Sequence, residues 1–464
     1  MKDKHLWDIP ESWVWTSVKK IHNKIGTIKK KNIIPKRFPR TKFELYSVPS
    51  YDANKPEILF GEEIGSNKKI VEPDAILLCK INPRINRVWI VGNYSDFEKI
   101  SSTEWIIYFK NDEIYPKYLQ FYFQTPGYRS YLSNNVSGVG GSLMRVNQNT
   151  ADDYAIPIAP YNEQVRIVDR VEELFSRLDA GVRSLQATQT QLEQYRQTTL
   201  KQAYTGKLTQ KWRQKLYSKD TSEIPNSPSK VYWNIPSSWE WKRLEMIAEI
   251  NPKLPINEIS DTLEVTFIPM ASVEEETGKI VLSEIKQYGQ VKKGYTKFYD
   301  GDIIFAKITP CMENGKVAIV KGLSNKIGIG STEFHVIRLD STLVKEFYFY
   351  YLLQKWFRSL AIQHFTGTVG HRRVPTDFIK KAYVPVPPIE EQKEVVSKLD
   401  EMNTIFYHVH DSIRKTLKNT YNLKNAVLKK AFEGRLISQD PNDEPASLLL
   451  ERIKAQKVKQ GKLM

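Results

Sequence analysis

The sequence predicts an α+β fold made twice over: two similar α/β domains, each followed by a long helix, the two helices pairing through heptad seams as an internal pseudo-dimer. Three observations predict it. First, IPESWVW (Ile9 to Trp15), STEW (Ser102 to Trp105), NEQ (Asn162 to Gln164) and LKQAYTGKL (Leu200 to Leu208) return in the same order. Their counterparts are IPSSWEW (Ile235 to Trp241), STEF (Ser331 to Phe334), EEQ (Glu390 to Gln392) and LKKAFEGRL (Leu428 to Leu436), at an offset of 226 to 229 residues. Second, a proline-marked segment, IPIAP (Ile156 to Pro160) or VPVPP (Val384 to Pro388), precedes each helix; proline suits the residues just before a helix. Third, each helix ends at a glycine, Gly206 or Gly434, fitted to a left-handed C-terminal cap. Two copies are too few for a solenoid.

Residues 1–160 form the first α/β domain. AILLCKI (Ala75 to Ile81) and WIIYF (Trp105 to Phe109) are strand-like runs. KYLQFYFQTPGYRSYL (Lys117 to Leu132) is helical with a break near Pro126, and its aromatic residues suit a core rather than a base-stacking platform. Residues 161–206 form the first long helix. One seven-residue series is Ile167, Leu174, Gly181, Thr188, Tyr195 and Gln202; the other is Val171, Leu178, Leu185, Leu192 and Thr199. Residues 207–232 are a linker containing the polar stretch KDTSEIPNSPSK (Lys219 to Lys230). Residues 233–388 repeat the α/β domain, and VKEFYFYYLLQKWFRSLAI (Val344 to Ile362) carries no proline break.

Residues 389–435 form the second long helix. Its series are Val395, Met402, Val409, Thr416, Leu423 and Lys430, then Leu399, Phe406, Ile413, Thr420 and Val427. Thr188 and Thr416 stand at equivalent seam positions; either they fix register or the pattern slips there. Residues 436–464 are a basic tail with a frayed end. From Glu163 to Tyr204 a helix runs roughly 60 Å at about 1.5 Å per residue. Parallel pairing puts both domains at one end, antiparallel pairing at opposite ends.

The chain of 464 residues carries a formal charge of +16. The excess is spread: +6 over residues 1–160, +4 over 161–232, +3 over 233–388 and +3 over 389–464. A basic protein of ordinary hydrophobicity favours a polyanion, usually nucleic acid. Modules reading DNA across a twofold axis meet equivalent groove faces about 34 Å apart or a multiple, which makes the paired helices a ruler. The segment Thr27 to Lys42 holds Lys29, Lys30, Lys31, Lys36, Arg37, Arg40 and Lys42 without an acid. That density suits phosphate contact; the competing reading is a solvated loop. Two equivalent glycine loops, GVGGSLMRV (Gly138 to Val146) and GTVGHRRV (Gly367 to Val374), offer Ser142, Arg145, His371, Arg372 and Arg373 as donors to DNA. NPRINR (Asn82 to Arg87) is a weaker candidate.

Catalytic patterns are missing from the sequence. TGKL (Thr205 to Leu208) lacks the leading glycine and the hydroxyl of a phosphate loop. Asn82-Pro83 continues with Arg84 rather than the proline and aromatic of a methyl-transfer tetrad, and Leu78 replaces the acid that a nuclease motif after Pro73-Asp74 needs. Glu274, Glu275 and Glu276 read as an exposed turn rather than a metal site, and His364, His371, His408 and His410 form no zinc pattern. Cys79 and Cys311 are not equivalent in the repeat, which argues against a disulfide. No run is long enough to span a bilayer and no apolar signal core opens the chain, so a cytoplasmic location is expected.

The repeated IPxSWxW, STE[WF], PIAPYNEQVRIV/PVPPIEEQKEVV and LK[QK]A[YF]xG[KR]L segments together resemble the specificity subunit of type I restriction–modification enzymes, over essentially the whole chain. The resemblance implies two target recognition domains, each reading one half of a bipartite site in double-stranded DNA, and an antiparallel coiled coil that sets the gap. It implies a non-catalytic subunit that carries two methyltransferase subunits and, in the full complex, two motor–endonuclease subunits. S-adenosylmethionine, ATP and Mg²⁺ then belong to those partners, with no cofactor in this chain. The loops diverge on similar frames, GSLMRVN against GHRRVPT, so an asymmetric site is expected. Two other readings fit the same sequence: a specificity module of a combined restriction–methylation enzyme of another type, and a coiled-coil scaffold without DNA affinity. A nuclease acting alone is a third, opposed by the missing motifs.

Overall fold

The computed structural model describes residues 7–21, 32–137, 144–217, 227–230, 232–253, 259–281, 283–368 and 372–462. The chain divides into two compact units, residues 1–185 with 414–464, and residues 186–413. The first long helix, Tyr161–Tyr204, therefore begins in the first unit and ends in the second; the second, Ile389–Phe432, does the reverse.

Within the first unit, strand Val14–Ser17 pairs antiparallel with Ala155–Ile158, and a five-stranded and a three-stranded sheet complete the β structure. The second unit repeats the plan: Glu240–Arg243 pairs with Tyr383–Val386 beside two four-stranded sheets. One mixed sheet in each unit has a parallel pair, Phe43–Tyr46 beside Glu98–Ser101 and Thr266–Ile268 beside Gly328–Gly330. The continuous apolar runs Ile76–Cys79 and Ile303–Ala306 are strands buried along their whole length, as unbroken hydrophobicity requires. Tyr118, Tyr122, Phe123 and Tyr128 are core residues, as expected. The counterpart segment does break: Gln354 turns to ψ 135° between helices Lys355–Ile362 and Lys345–Leu353. Its side chain is buried and folds back on the Tyr351 carbonyl, so no proline is needed.

The repeated motifs converge on one junction in each unit. Leu200, Ala203 and Tyr204 share a helix face and are buried in the second unit's core; Leu428, Ala431 and Phe432 do the same in the first. The Trp233 indole N–H caps the carbonyl of Tyr204 at 2.7 Å, and Trp7 caps Phe432 at 3.0 Å. Gly206 (φ +73°) and Gly434 (φ +68°) then reverse the chain, and a Cβ on either would lie 2.3 Å from the ring of Pro236 or Pro10. That contact joins the helix-end motif to the IPxSW motif. At the helix starts, Gln164 braces the Ala159 carbonyl and the Tyr115 amide, and Gln392 braces the Pro387 carbonyl and the Val344 amide. Glu163 and Glu391 accept from the indoles of Trp13 (3.0 Å) and Trp239 (2.8 Å).

The second series of each predicted seam holds and the first is displaced by one residue. Val171, Leu178, Leu185, Leu192 and Thr199 face inward together with Phe175, Val182, Gln189, Arg196 and Ala203. Gly181, Thr188, Tyr195 and Gln202 are exposed, and so are Thr416, Leu423 and Lys430 on the other helix, where Leu417, Lys424 and Ala431 turn inward. The phase was misleading at the helix start, because Ile167 packs into its own domain rather than the partner helix. Thr188 and Thr416 therefore lie outside the buried part of the seam. Polar seam contacts within the units include Gln189 with His410 at 3.1 Å and Lys424 with Asp179 at 2.6 Å. Lys424 lies over Phe175 in the first unit, and Arg196 over Phe406 in the second. In the second unit the numbers fall along one helix as they rise along the other, so the pairing is antiparallel.

Two segments expected to be irregular are helical. Ala446–Lys462 lies in the predicted tail and docks on the first unit through buried Ala446, Leu449 and Ile453. Arg452 ties it to Glu113 at 2.8 Å and Glu444 at 2.7 Å. The lysine-rich sequence of this segment hid that narrow apolar stripe. Gln210–Tyr217 lies in the predicted linker and delivers buried Arg213 to Glu391. Glu276, read as part of an exposed turn, instead accepts ion pairs from Arg196 (2.5 Å) and Arg358 (2.6 Å). Burial opposes its ionisation, but the two arginines outweigh burial and hold its carboxyl below the usual range.

The equivalent buried glutamates differ in one respect. Glu391 has Arg213 and the Thr209 hydroxyl; Glu163 has no ion pair among the described residues, because Arg166 is committed to Asp443 at 2.6 Å. Burial pushes the Glu163 carboxyl above its ordinary range. A raised folded-state pKa means that stability present at low pH is lost as pH rises through it. Glu163→Gln is expected to stabilise the first unit at pH 8 by about 1 kcal/mol and to have no effect near pH 4. Glu391→Gln should cost about 3 kcal/mol, since it strands a buried guanidinium. Scanning calorimetry of both variants checks this; shifts of the same sign would contradict it.

Candidate nucleic-acid interface

The same three segments are knitted together in each unit. In the first, the Lys80 amide donates to the Glu104 carbonyl at 2.9 Å, Val146 to the Lys80 carbonyl at 3.0 Å, and Asn82 to the Met144 carbonyl at 3.0 Å. In the second, Lys307 donates to Glu333 at 2.9 Å, Val374 to Lys307 at 2.8 Å, and Thr309 to Arg372 at 3.1 Å. Arg145 bridges back to Ser137, and Arg373 to Thr366. A bidentate ion pair closes each set. Arg145 donates to Glu104 through Nε at 3.2 Å and Nη2 at 3.1 Å; Arg373 donates to Glu333 through Nε at 2.8 Å and Nη2 at 2.6 Å. The carboxylate raises the pKa of Arg373, by hydrogen bond first and charge second. The glutamates are those of the repeated STE[WF] motif.

The frame is shared but the displayed residues are not. Met144 stands where the second unit has Arg372, Asn82 where it has Thr309, and Arg84 where it has Cys311. Met144, Arg84 and Arg372 are exposed, and the Arg372 guanidinium makes no ion pair among the described residues. Asn82 and Asn86 take left-handed φ values of 48° and 57°, which asparagine tolerates, and turn Pro83–Ile85 outward.

Of the predicted contact residues, Lys29, Lys30, Lys31, Ser142 and His371 lie outside the described residues. Lys36 and Arg37 occupy the short turn Pro35–Arg37; with Arg40 they are exposed and make no ion pair among the described residues. Lys42 starts strand Lys42–Tyr46 and lies over the rings of Phe60 (5.1 Å) and Phe97 (5.8 Å), both exposed. Arg145 and Arg373 are tied to glutamates, a pairing that the sequence alone did not reveal.

Two further groups are specific to one unit. On the sheet face beside Lys42, Glu44 is fully buried. It accepts from Tyr46 Oη at 2.7 Å and Ser95 Oγ at 2.6 Å, and lies 3.5 Å from Lys99. Burial first, and Glu44 second, push the Tyr46 hydroxyl far above its ordinary range, so it stays a donor. The corresponding sheet positions of the second unit hold Thr266, Ile268 and Gly328. In that unit His335 is buried, with Nε2 2.8 Å from the Val374 carbonyl and Nδ1 3.3 Å from Asn251 Nδ2. Burial pulls its pKa down to about 4. The neutral ring thereby ties the segment after Arg373 to the sheet.

These features define an α+β protein of two units with a duplicated frame and dissimilar exposed turns; among the described residues no cluster of acids, histidines or cysteines could hold a metal ion. No described helix is long and apolar enough to cross a membrane. The family model of the type I restriction modification DNA specificity domain matches residues 236–419. The chain is 36% identical over 279 residues to the EcoAI specificity subunit of Escherichia coli, which covers 50% of this chain and 46% of that protein. With the EcoEI specificity subunit of the same organism the identity is 35% over 276 residues, again 50% and 46%. The chain thus spans about half the length of these two relatives; against the EcoDI specificity subunit it is 24% identical, over 70% of this chain and 74% of that one. A chain solved in work on the assembly and conformational transition of the type I restriction–modification system shares the fold, with TM-score 0.70, 18% identity and coverage of 93% and 100%. The HsdS subunit from Thermoanaerobacter tengcongensis also shares it, with TM-score 0.51, 18% identity and coverage of 93% and 99%. The chain is thus similar to type I restriction–modification specificity subunits, and residues 236–419 match the DNA specificity domain model.

His335 is neutral in the fold and ionises in the unfolded chain near its ordinary pKa. Its depressed pKa therefore gives stability that is present above about pH 6.5 and lost as pH falls towards about 4, at most about 3 kcal/mol. His335→Gln should flatten the acid limb of the second unit's melting temperature between those values. An unchanged slope would show that other groups set it.

Proposed function

We propose that this chain is the DNA-sequence specificity subunit of a type I restriction–modification complex. Each unit reads one half of an asymmetric bipartite site in double-stranded DNA, and the antiparallel helices act as the spacer that sets the gap. The observation that carries this is the duplicated clamp of turns, with the same backbone pairing in both units and different exposed side chains at Met144/Arg372, Asn82/Thr309 and Arg84/Cys311. Like frames with unlike displays suit two different half-sites. The net charge of +16 supplies the sequence-independent attraction to phosphates.

Methyl transfer, translocation and cleavage fall to other chains: two methyltransferase subunits, and two motor–endonuclease subunits in the full complex. S-adenosylmethionine, ATP and Mg²⁺ are used there, and the complex works in the cytoplasm, where the DNA is. Lys36, Arg37, Arg40 and Lys42 contribute phosphate contacts beside the first half-site. A reader needs such contacts for position and other residues for sequence.

Base-resolution methylation sequencing of cells expressing this chain with its cognate methyltransferase should return one bipartite motif with two unlike halves. A palindromic or continuous motif would reject the asymmetric reading. Separately, Lys36→Ala, Arg37→Ala and Arg40→Ala together should weaken DNA binding by the chain–methyltransferase complex on all sequences alike. They should also reduce the slope of log K against log salt by up to about 0.9 for each phosphate no longer neutralised. An unchanged slope would place the segment away from the DNA backbone.

A further inference from the structure

We propose that Arg145 and Arg373 do not read DNA but are positioning residues, and that Glu104 and Glu333 are their obligate partners. The specificity-determining side chains are those that the clamps display: Met144, Asn82 and Arg84 in the first unit, Arg372 and Thr309 in the second. This rests on the reading of the chain as a DNA-specificity subunit.

The ion pairs join residues 41 and 40 positions apart in sequence, and they recur at equivalent places in the two units. Both guanidiniums use Nε and Nη2 on one carboxylate, the fork geometry that fixes orientation as well as distance. The fork commits the Nε edge of each guanidinium to the carboxylate, so its orientation is set by the protein itself. Each clamped arginine also sits at the centre of backbone pairing. Arg145 is bridged to Ile81 and Ser137, Arg373 to Ile308 and Thr366, and in extended backbone the preceding side chain stands on the opposite face from the clamped arginine. That preceding residue is where the units differ, methionine against an exposed arginine free of ion pairs among the described residues. A shared frame that holds a differing neighbour is what a repeat needs if its two copies are to recognise different sequences. Glutamate is part of the frame for a second reason: its backbone carbonyl receives the lysine, Lys80 or Lys307, that begins the neighbouring turn.

Charge reversal separates positioning from reading. Glu104→Arg and Arg145→Glu are each made alone and together, in the full chain co-expressed with the methyltransferase, and the methylated motif is sequenced. Either single reversal should lower methylation by about fivefold or more, with sequence information lost from one half of the motif only. The double reversal should restore both level and motif. Glu333→Arg with Arg373→Glu should behave likewise on the other half. Arg372→Ala, with the clamp intact, should alter the second half while leaving the melting temperature unchanged. If the double reversal stays as impaired as Arg145→Glu alone, the arginine itself touches DNA and the proposal fails; if the single reversals change nothing, the clamp is idle and it fails equally. A melting curve on each single variant shows whether a loss is general unfolding, and in that case the double reversal still decides. Failure of the wild-type chain to direct any bipartite methylation would instead overturn the reading on which this rests.

Discussion

Each unit is closed by helix ends that come from opposite parts of the chain. The core of the first unit takes Ile167, Val168 and Val171 from the start of one long helix, and Leu428, Ala431 and Phe432 from the end of the other. The second takes Val395 and Leu399, with Leu200, Ala203 and Tyr204. Truncating a buried aromatic such as Phe432 costs about 3–5 kcal/mol, a large share of the margin by which a domain is stable. The long helices are therefore part of each unit's core rather than appendages. Their antiparallel direction follows, since each core needs one helix start beside one helix end.

The junction also explains why so few motifs are repeated so faithfully. Tryptophan caps a helix carbonyl, proline seats on a left-handed glycine, and a second tryptophan donates to a buried glutamate. None of these contacts tolerates a change of shape, so the residues recur in both copies. Away from the junction the copies drift. Arg213 neutralises one buried glutamate, and no ion pair does the same for the other among the described residues. The Glu44–Lys99 pair of the first unit gives way to threonine and glycine in the second. Framework and display are thus under different physical constraints within one chain.

The duplication, the strands Ile76–Cys79 and Trp105–Tyr108 and the two long helices were legible because periodicity and repeated words survive in a linear sequence. The phase of the seam was not. Ile167 is apolar for its own domain and Tyr195 is apolar though exposed, so hydrophobicity alone pointed to the wrong series. The helix Ala446–Lys462 was hidden by lysines around a stripe of three buried residues. In the candidate interface, Arg145 and Arg373 stood out as charges beside glycines. Their partners were in view as the third letter of STEW and STEF, but an ion pair between segments 40 residues apart leaves no local signature. The duplicated spacing from that glutamate to the arginine was the one signal that could have found it.

The division of the chain has a consequence for synthesis. A polypeptide emerges from its N-terminus and domains ordinarily fold in that order. Here the residues that finish the first domain, Leu428 to Ile453, leave the ribosome after every residue of the second. The first domain begun is the last one completed, and its core stays open until Leu428 to Ile453 have emerged. A premature stop just past Ile413 would leave the later-made domain with all its residues while crippling the earlier one, the reverse of what gene order suggests.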